Sequence, residues 1–322
     1  VSPSRSRIAP LSLLLDRARR RSEVPVVVCI DVEPDLRAVD RGKPVPWRGF
    51  ELLLQRVPEL RSRLCEVAEG PVAFTWCLRM DPQIAETWGS LAWVGDTYGA
   101  ALAGLVEEGD ELGLHTHTWR WSADGGEWVA EYDDPAWEEH CVTMSLDSFE
   151  ATFGRPCPVH RGGDHFLSPA MLARLQAAGV VVDLTLEPGW PPVGPPGGER
   201  SHGLLPDYRR IPTEPYRSSP RAFPEPDPDA LDGPLLIPLF SPPGLRRRQR
   251  LPLPPDSGHF VSRLAFELTR GAPAALATVL RSDAGHGANW DLVCANLEHL
   301  ARHREMPFVT ATTAATGLDG ST

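Results

Sequence analysis

Val24-Pro25-Val26-Val27-Val28-Cys29-Ile30 is an almost unbroken apolar, β-branched run, and it leads directly into Asp31-Val32-Glu33-Pro34-Asp35. A strand this uniformly apolar has no wet face, so it reads as an inner strand of a parallel sheet covered on both sides. Acids at its end then lie on the carboxyl edge of the sheet, where parallel α/β folds build their sites. The same plan repeats along the chain. Strand-length apolar runs follow at Val72 to Leu78, Glu111 to Thr116, Pro158 to Arg161, Val180 to Leu184, Leu235 to Phe240, Ala277 to Arg281 and Pro307 to Thr310. Segments of helical spacing separate most of them: Phe50 to Val67, Gly99 to Glu108, Trp137 to Phe153, Pro169 to Ala178 and Asp291 to His303. Strand alternating with helix predicts an α/β protein with a parallel sheet and crossover helices.

The chain has 322 residues, 42% hydrophobic and 23% charged, enough to bury one large core. A formal charge of -11 repels phosphate backbones, which excludes nucleic acid as an expected partner. The basic runs at Arg17 to Arg21 and Arg246 to Arg250 are short and read as solvated surface. Near the start, Asp16 cuts the apolar stretch Leu11 to Leu15 far below spanning length, so neither a signal peptide nor a membrane span is expected. The six cysteines form no close pairs and several sit in strand-like runs, which fits reduced thiols and a cytoplasmic protein. From Glu187 to Ser257 the alternation stops and prolines are dense, but Trp190, Tyr208, Tyr216, Phe223 and Phe240 argue for a packed insertion over the site.

Two pairs carry the chemistry. His115-Thr116-His117 ends one strand-like run and Asp31-Val32-Glu33 ends another. Residues two apart on a strand face the same side, so both imidazoles reach one ion and both acids share one face. Two buried acids repel unless a cation or arginine neutralises them. One carboxylate with two histidines and an open position is a catalytic arrangement for a divalent metal, zinc first. The bland alternative, acids at a strand-to-loop junction, stays open. Arg79 and Asp81 follow another strand and either contact substrate or form a structural ion pair. Trp119, with Trp121 and Trp128 nearby, suits stacking on a sugar face or a place in the core.

At these residues the sequence resembles the polysaccharide deacetylases, the carbohydrate esterases with NodB homology. Their acidic first motif matches Asp31-Val32-Glu33, and their Glu-x-Gly-x-His motif matches Glu111-Leu112-Gly113-Leu114-His115. Arg161-Gly162-Gly163-Asp164 stands where the third motif begins, and Val182-Asp183-Leu184-Thr185 where the fourth is expected. The resemblance implies one distorted parallel (β/α) barrel over residues 24–310 with the insertion at about 187–257, after an extension at 1–23 and before a tail at 311–322. It also implies Asp31 as general base, Arg161 paired with it, Glu33 and His115 as metal ligands, and Asp183 as a further catalytic residue. Asp164 is expected beside the substrate. The usual second histidine lies four residues after the first, where this chain has Trp119; His117 takes that part, as in the His-x-His variants the chain resembles. The motif that supplies a histidine acid aligns on Arg281, leaving His286 as the nearest candidate.

The implied activity is metal-dependent hydrolysis of an N-acetyl or N-formyl group on an amino-sugar-like glycan or small molecule. A non-catalytic glycan-binding relative, and another barrel enzyme such as an isomerase or a two-carboxylate glycosidase, are the alternatives.

Overall fold

A computed structural model describes residues 23–243, 250, 253–271, 273–282 and 289–319. Its strands are β1 (Val26–Val32), β2 (Thr75–Arg79), β3 (Glu111–Thr116), β4 (Trp119–Ser122), β5 (Glu127–Glu131), β6 (Val159–Gly162), β7 (Val182–Asp183), β8 (Ser201–His202), β9 (Leu235–Leu236) and β10 (Leu276–Arg281). The main sheet has seven strands in the order β10-β1-β2-β3-β6-β7-β9, all parallel. Just past β9, Leu239 bridges Ala277 of β10, so the sheet curls round and meets itself through a single bridge. This is the distorted parallel barrel, and β1 is buried along its whole length as an inner strand must be.

The period of two divides the side chains of each strand between two compartments. Val27, Cys29, Cys77, Val159, Val182, Leu184, Ile237 and Leu239 come from strands all round the sheet and form one apolar cluster, the barrel interior. Val26, Val28 and Ile30 point the other way into the larger core under the helices. Those helices are α1 (Arg48–Ala68), α2 (Pro82–Trp88), α3 (Trp93–Glu107), α4 (Pro135–Phe153), α5 (Pro169–Ala177), α6 (Phe260–Leu268), α7 (Trp290–Ala301) and α8 (Ala311–Asp319). Three begin on a cap-plus-proline signal. Asp81-Pro82, Asp134-Pro135 and Ser168-Pro169 each offer a side-chain oxygen to the first free amides, followed by a residue with no amide to satisfy.

Several boundaries differ from the sequence reading. The residues from 311 onward, expected as a tail, form α8 as far as Asp319, and its Ala311, Ala314 and Ala315 fill the floor of the barrel. The amide of Ala311 donates to Thr75 Oγ1 (3.0 Å) and Thr312 Oγ1 to Glu111, the first residues of β2 and β3, so this floor is the amino edge. Pro307 to Thr310 forms a short parallel bridge rather than a strand: the Pro307 carbonyl accepts from the Val26 amide (2.8 Å) and the Val309 amide donates to the Val26 carbonyl (3.0 Å) before the chain turns into α8. Helix α2 and the β4–β5 hairpin carried no periodic signal of their own. The hairpin pairs with β8 in a separate three-stranded sheet, which ties the proline-rich insertion to the barrel. Tyr208 of the insertion is fully buried, with its hydroxyl against the backbone of Leu167. No helix of the described residues is long and apolar enough to cross a membrane.

Candidate metal centre

Arg79, His115 and Arg161 are register partners across β2, β3 and β6, one row facing the barrel interior at its carboxyl edge. Glu33 stands just beyond the end of β1, where Ser282 pins its backbone from both sides: the Glu33 amide donates to Ser282 Oγ (2.7 Å), and that hydroxyl donates to the Glu33 carbonyl (2.9 Å). Glu33, His115 and His117 are all buried and converge, with one ligand atom of each within 4.8 Å of the others. His117 Nε2 is 3.3 Å from Glu33 Oε2 and His115 Nε2 is 3.7 Å from Glu33 Oε1. The two Nε2 atoms face each other at 3.1 Å.

Whether these residues fit a metal is decided by their other contacts. His115 Nδ1 lies 3.0 Å from the carbonyl of Arg161, which only accepts, so Nδ1 carries the hydrogen and Nε2 offers a lone pair to the cluster. His117 Nδ1 faces Asp164 Oδ2 at 3.5 Å, which orients the second ring the same way. Two lone pairs and a carboxylate turned toward one buried point fit a divalent cation. Burial works against the charge on Glu33, but His115 and then His117 outweigh it and hold the carboxyl well below its usual range.

Two glycines make room for this geometry. A Cβ on Gly113 would lie 2.7 Å from the carbonyl oxygen of Val159, so the Glu-x-Gly-x-His run needs glycine where β3 meets β6. A Cβ on Gly163 would lie 2.3 Å from the imidazole carbons of His117. The Gly-Gly pair after Arg161 is therefore the seat of the second histidine.

Behind the cluster lie further buried polar groups. Asp164 accepts from Trp119 Nε1 (2.7 Å) and the Tyr132 hydroxyl (3.0 Å), and it pairs with Arg37. Burial alone would raise its carboxyl; His117, Arg37 and the Trp119 indole outweigh that and hold it far below the usual carboxylate range. Asp81 Oδ2 accepts from the His117 amide (3.1 Å) and from Arg79 Nε (2.8 Å), and Arg79 Nη1 reaches Glu33 Oε2 at 3.4 Å. On the other side of the cluster, Arg161 Nε donates to both Asp31 oxygens, at 2.8 and 3.0 Å. Arg161 Nη2 reaches Glu187 Oε1 at 3.5 Å, and Glu187 Oε1 is 2.7 Å from His165 Nδ1.

The structure thus brings Asp31, Arg161, Glu33, His115 and His117 to one cleft, which Arg37, Asp164, His165, Pro196 and Arg281 also line. Of the other named residues, Asp164 lines the same cleft, Arg79 with Asp81 and Trp119 take the alternatives of a structural ion pair and a place in the core, and Asp183 lies elsewhere. Asp183 lies one position off the inward parity of β7; it binds His160 Nδ1 (2.7 Å) and Thr185 on the far face of the sheet, away from Asp31. Arg79 and Asp81 are 0% exposed and Trp119 is 1% exposed, so they brace the ligands and present no surface to a substrate. Asp164 lines the cleft while its oxygens bind Trp119, Tyr132 and Arg37 and face His117. His286 lies outside the described residues. Sequence reasoning gave no role in the site to Arg37, Tyr132, His165, Glu187 and Trp190. The nearest signal for the last three was the interruption itself, because Glu187 and Trp190 open the proline-rich insertion and His165 directly follows the third motif.

A distorted parallel barrel with a buried Glu-His-His cluster on its carboxyl edge defines the class of this molecule. The solved structures it is similar to include a Mycobacterium smegmatis protein assigned as a polysaccharide deacetylase, at 12% identity and TM-score 0.54, covering 93% of this chain and 91% of that one. A Parabacteroides distasonis protein assigned as a glycoside hydrolase/deacetylase has 14% identity and TM-score 0.57, covering 93% and 72%. Puue allantoinase has 12% identity and TM-score 0.55, covering 93% and 91%. At these identities the likeness is one of fold, and the fold is the one expected from the motifs. No protein-family model and no curated protein matches the sequence.

Proposed function

We propose that this chain is a metal-dependent amide hydrolase that removes an N-acetyl or N-formyl group from an amino-sugar-like substrate. The observation that carries the reading is the adjacency of two units at one barrel edge: a Glu-His-His cluster and an Asp31–Arg161 pair, with His115 Nδ1 3.9 Å from Asp31 Oδ1. Glu33, His115 and His117 would hold a divalent cation, zinc by its preference for this donor set, and the cation supplies the Lewis acidity that acidifies water and polarises an acyl oxygen. Asp31 stands beside the cluster without belonging to it, placed to accept the proton of an attacking water. Arg161 fixes the rotamer of Asp31 through two contacts from one nitrogen. Its own guanidinium is held charged against burial, by Asp31 above all and with Glu187 as a lesser contribution. Pro196 at the cleft and the Arg37–Glu199 contact at 3.7 Å bring the insertion over the mouth, which favours a small substrate or a chain end.

The six cysteines are free thiols, five of them buried, and burial pushes Cys29 and Cys157 up to about 12. Unreactive buried thiols support the reading of a reducing, cytoplasmic compartment. The likeness to an allantoinase favours widening the search to non-sugar amides. The test is acyl release from N-acetylated and N-formylated sugars, with allantoin alongside, by wild type and Asp31→Asn at equal zinc content. The Asn variant is expected to bind zinc as wild type does and to lose about 10²–10⁴-fold in turnover. Equal activity of the two removes the base assignment, and a silent zinc-loaded wild type removes the hydrolase reading.

A further inference from the structure

Amide cleavage leaves a poor departing group, an amine anion unless a proton reaches the nitrogen as the C–N bond breaks. Among the described residues that line the cleft, arginine does not give up its proton, and His115 and His117 turn their Nε2 atoms to Glu33. One imidazole remains. We propose that His165 is the proton donor to the leaving nitrogen, held for that task by Glu187 and Trp190; this rests on the hydrolase reading above.

The geometry is that of an oriented acid. His165 Nδ1 is 2.7 Å from Glu187 Oε1, which leaves Nε2 for the cleft that His165 lines. Its ring stacks on Trp190, with centroids 5.2 Å apart and planes at 22°, and Trp190 Nε1 donates to Glu187 Oε2 at 3.2 Å. One carboxylate therefore stands within ion-pair reach of the imidazole and accepts from the indole stacked on it. The backbone agrees: Asp164 and His165 both adopt left-handed conformations, φ 54° and 61°, which non-glycine residues occupy at a cost and mostly where a site requires it. Arg161 links the two halves, with Nε on Asp31 and Nη2 on Glu187, so base and donor are positioned from one guanidinium. Burial disfavours charge on Glu187, but His165 and then Arg161 outweigh it, which keeps the supporting carboxylate anionic.

The step balances. Water oxygen bonds to the acyl carbon and one water proton passes to Asp31. The C–N bond breaks with its electron pair going to nitrogen, nitrogen takes the proton from His165 Nε2, and acid and amine leave. Solvent then takes the proton from Asp31 and returns one to His165.

A leaving group that departs without a proton separates this role from a structural one. Zinc-loaded wild type, His165→Gln and His286→Ala are compared on the best N-acyl substrate and on an aryl acetate, with zinc content and thermal unfolding measured for each. For His165→Gln the expectation is a loss of about 10²–10⁴-fold on the amide and a far smaller loss on the aryl ester, at normal zinc content. Equal losses on both substrates, or wild-type amide cleavage, overturn the assignment. So does a leaving-group-selective loss found in His286→Ala instead. A wild type that releases acyl groups from neither substrate overturns the hydrolase reading and the donor together.

Discussion

Gly163→Ala tests how His117 is seated. The added Cβ would stand 2.3 Å from two imidazole carbons of His117 and 2.4 Å from Nε2. Carbon atoms in contact settle at about 3.5–4.0 Å, so the ring must retreat by more than about 1 Å. Gly163 is not among the glycines with positive φ, so alanine suits its backbone and the effect is steric alone. In the metal-free protein His117 relieves the clash by leaving the cluster, and stability changes little. Metal binding must then pull the ring back against the new methyl group. Overpacking of this kind costs about 1–3 kcal/mol, which lowers zinc affinity about five- to 150-fold. The assay is a competitive zinc titration paired with thermal unfolding with and without zinc. The expected result is a near-normal melting temperature without metal and a reduced gain on adding it. Wild-type zinc affinity in this variant would refute the argument that His117 is a ligand seated on Gly163.

Two further outcomes follow from the shell behind the ligands. Burial and Arg79 lower the His117 pKa, but Asp164 and Glu33 outweigh them and raise it, so a proton competes with metal earlier on acidification; zinc affinity should begin to fall above the ordinary imidazole value of about 6.5, and a fall confined to lower pH would contradict this. Trp119→Phe keeps the ring but removes the indole donor to Asp164, and zinc affinity measured by titration should drop about 10–100-fold, whereas stacking on a sugar would leave metal binding untouched.

Much of the barrel is legible in the chain because strand and helix periods are local properties. The unbroken apolar run at β1 already requires a sheet covered on both faces, and β3 occupies the segment its pattern predicts. The Glu-His-His cluster with Asp31 beside it is legible for the same reason. Each half is an i, i+2 pair, and a period of two puts both members on one side whatever surrounds them. The same parity argument applied to Asp183 would have placed it on the outer face, had the inward residues of β7 been known. They are not a property of β7 alone, because a two-residue strand buried on both sides has no polar face to mark its orientation.

What the chain order does not contain is convergence. Asp164 becomes a brace for His117 because a left-handed turn after β6 folds back over β3, and it collects Arg37, Trp119 and Tyr132 from three separate segments. His165 and Glu187 meet only because α5 and β7 return the chain to the same barrel edge, 22 residues on by their numbers. The sequence by itself determined the strands of the main sheet, its covered faces and the two i, i+2 pairs at its edge, all set by spacing within a few residues. The tertiary structure alone decided which polar residues line the cleft and which pack behind it. That choice depends on how far the sheet curls and where its crossovers land, and no local period records either.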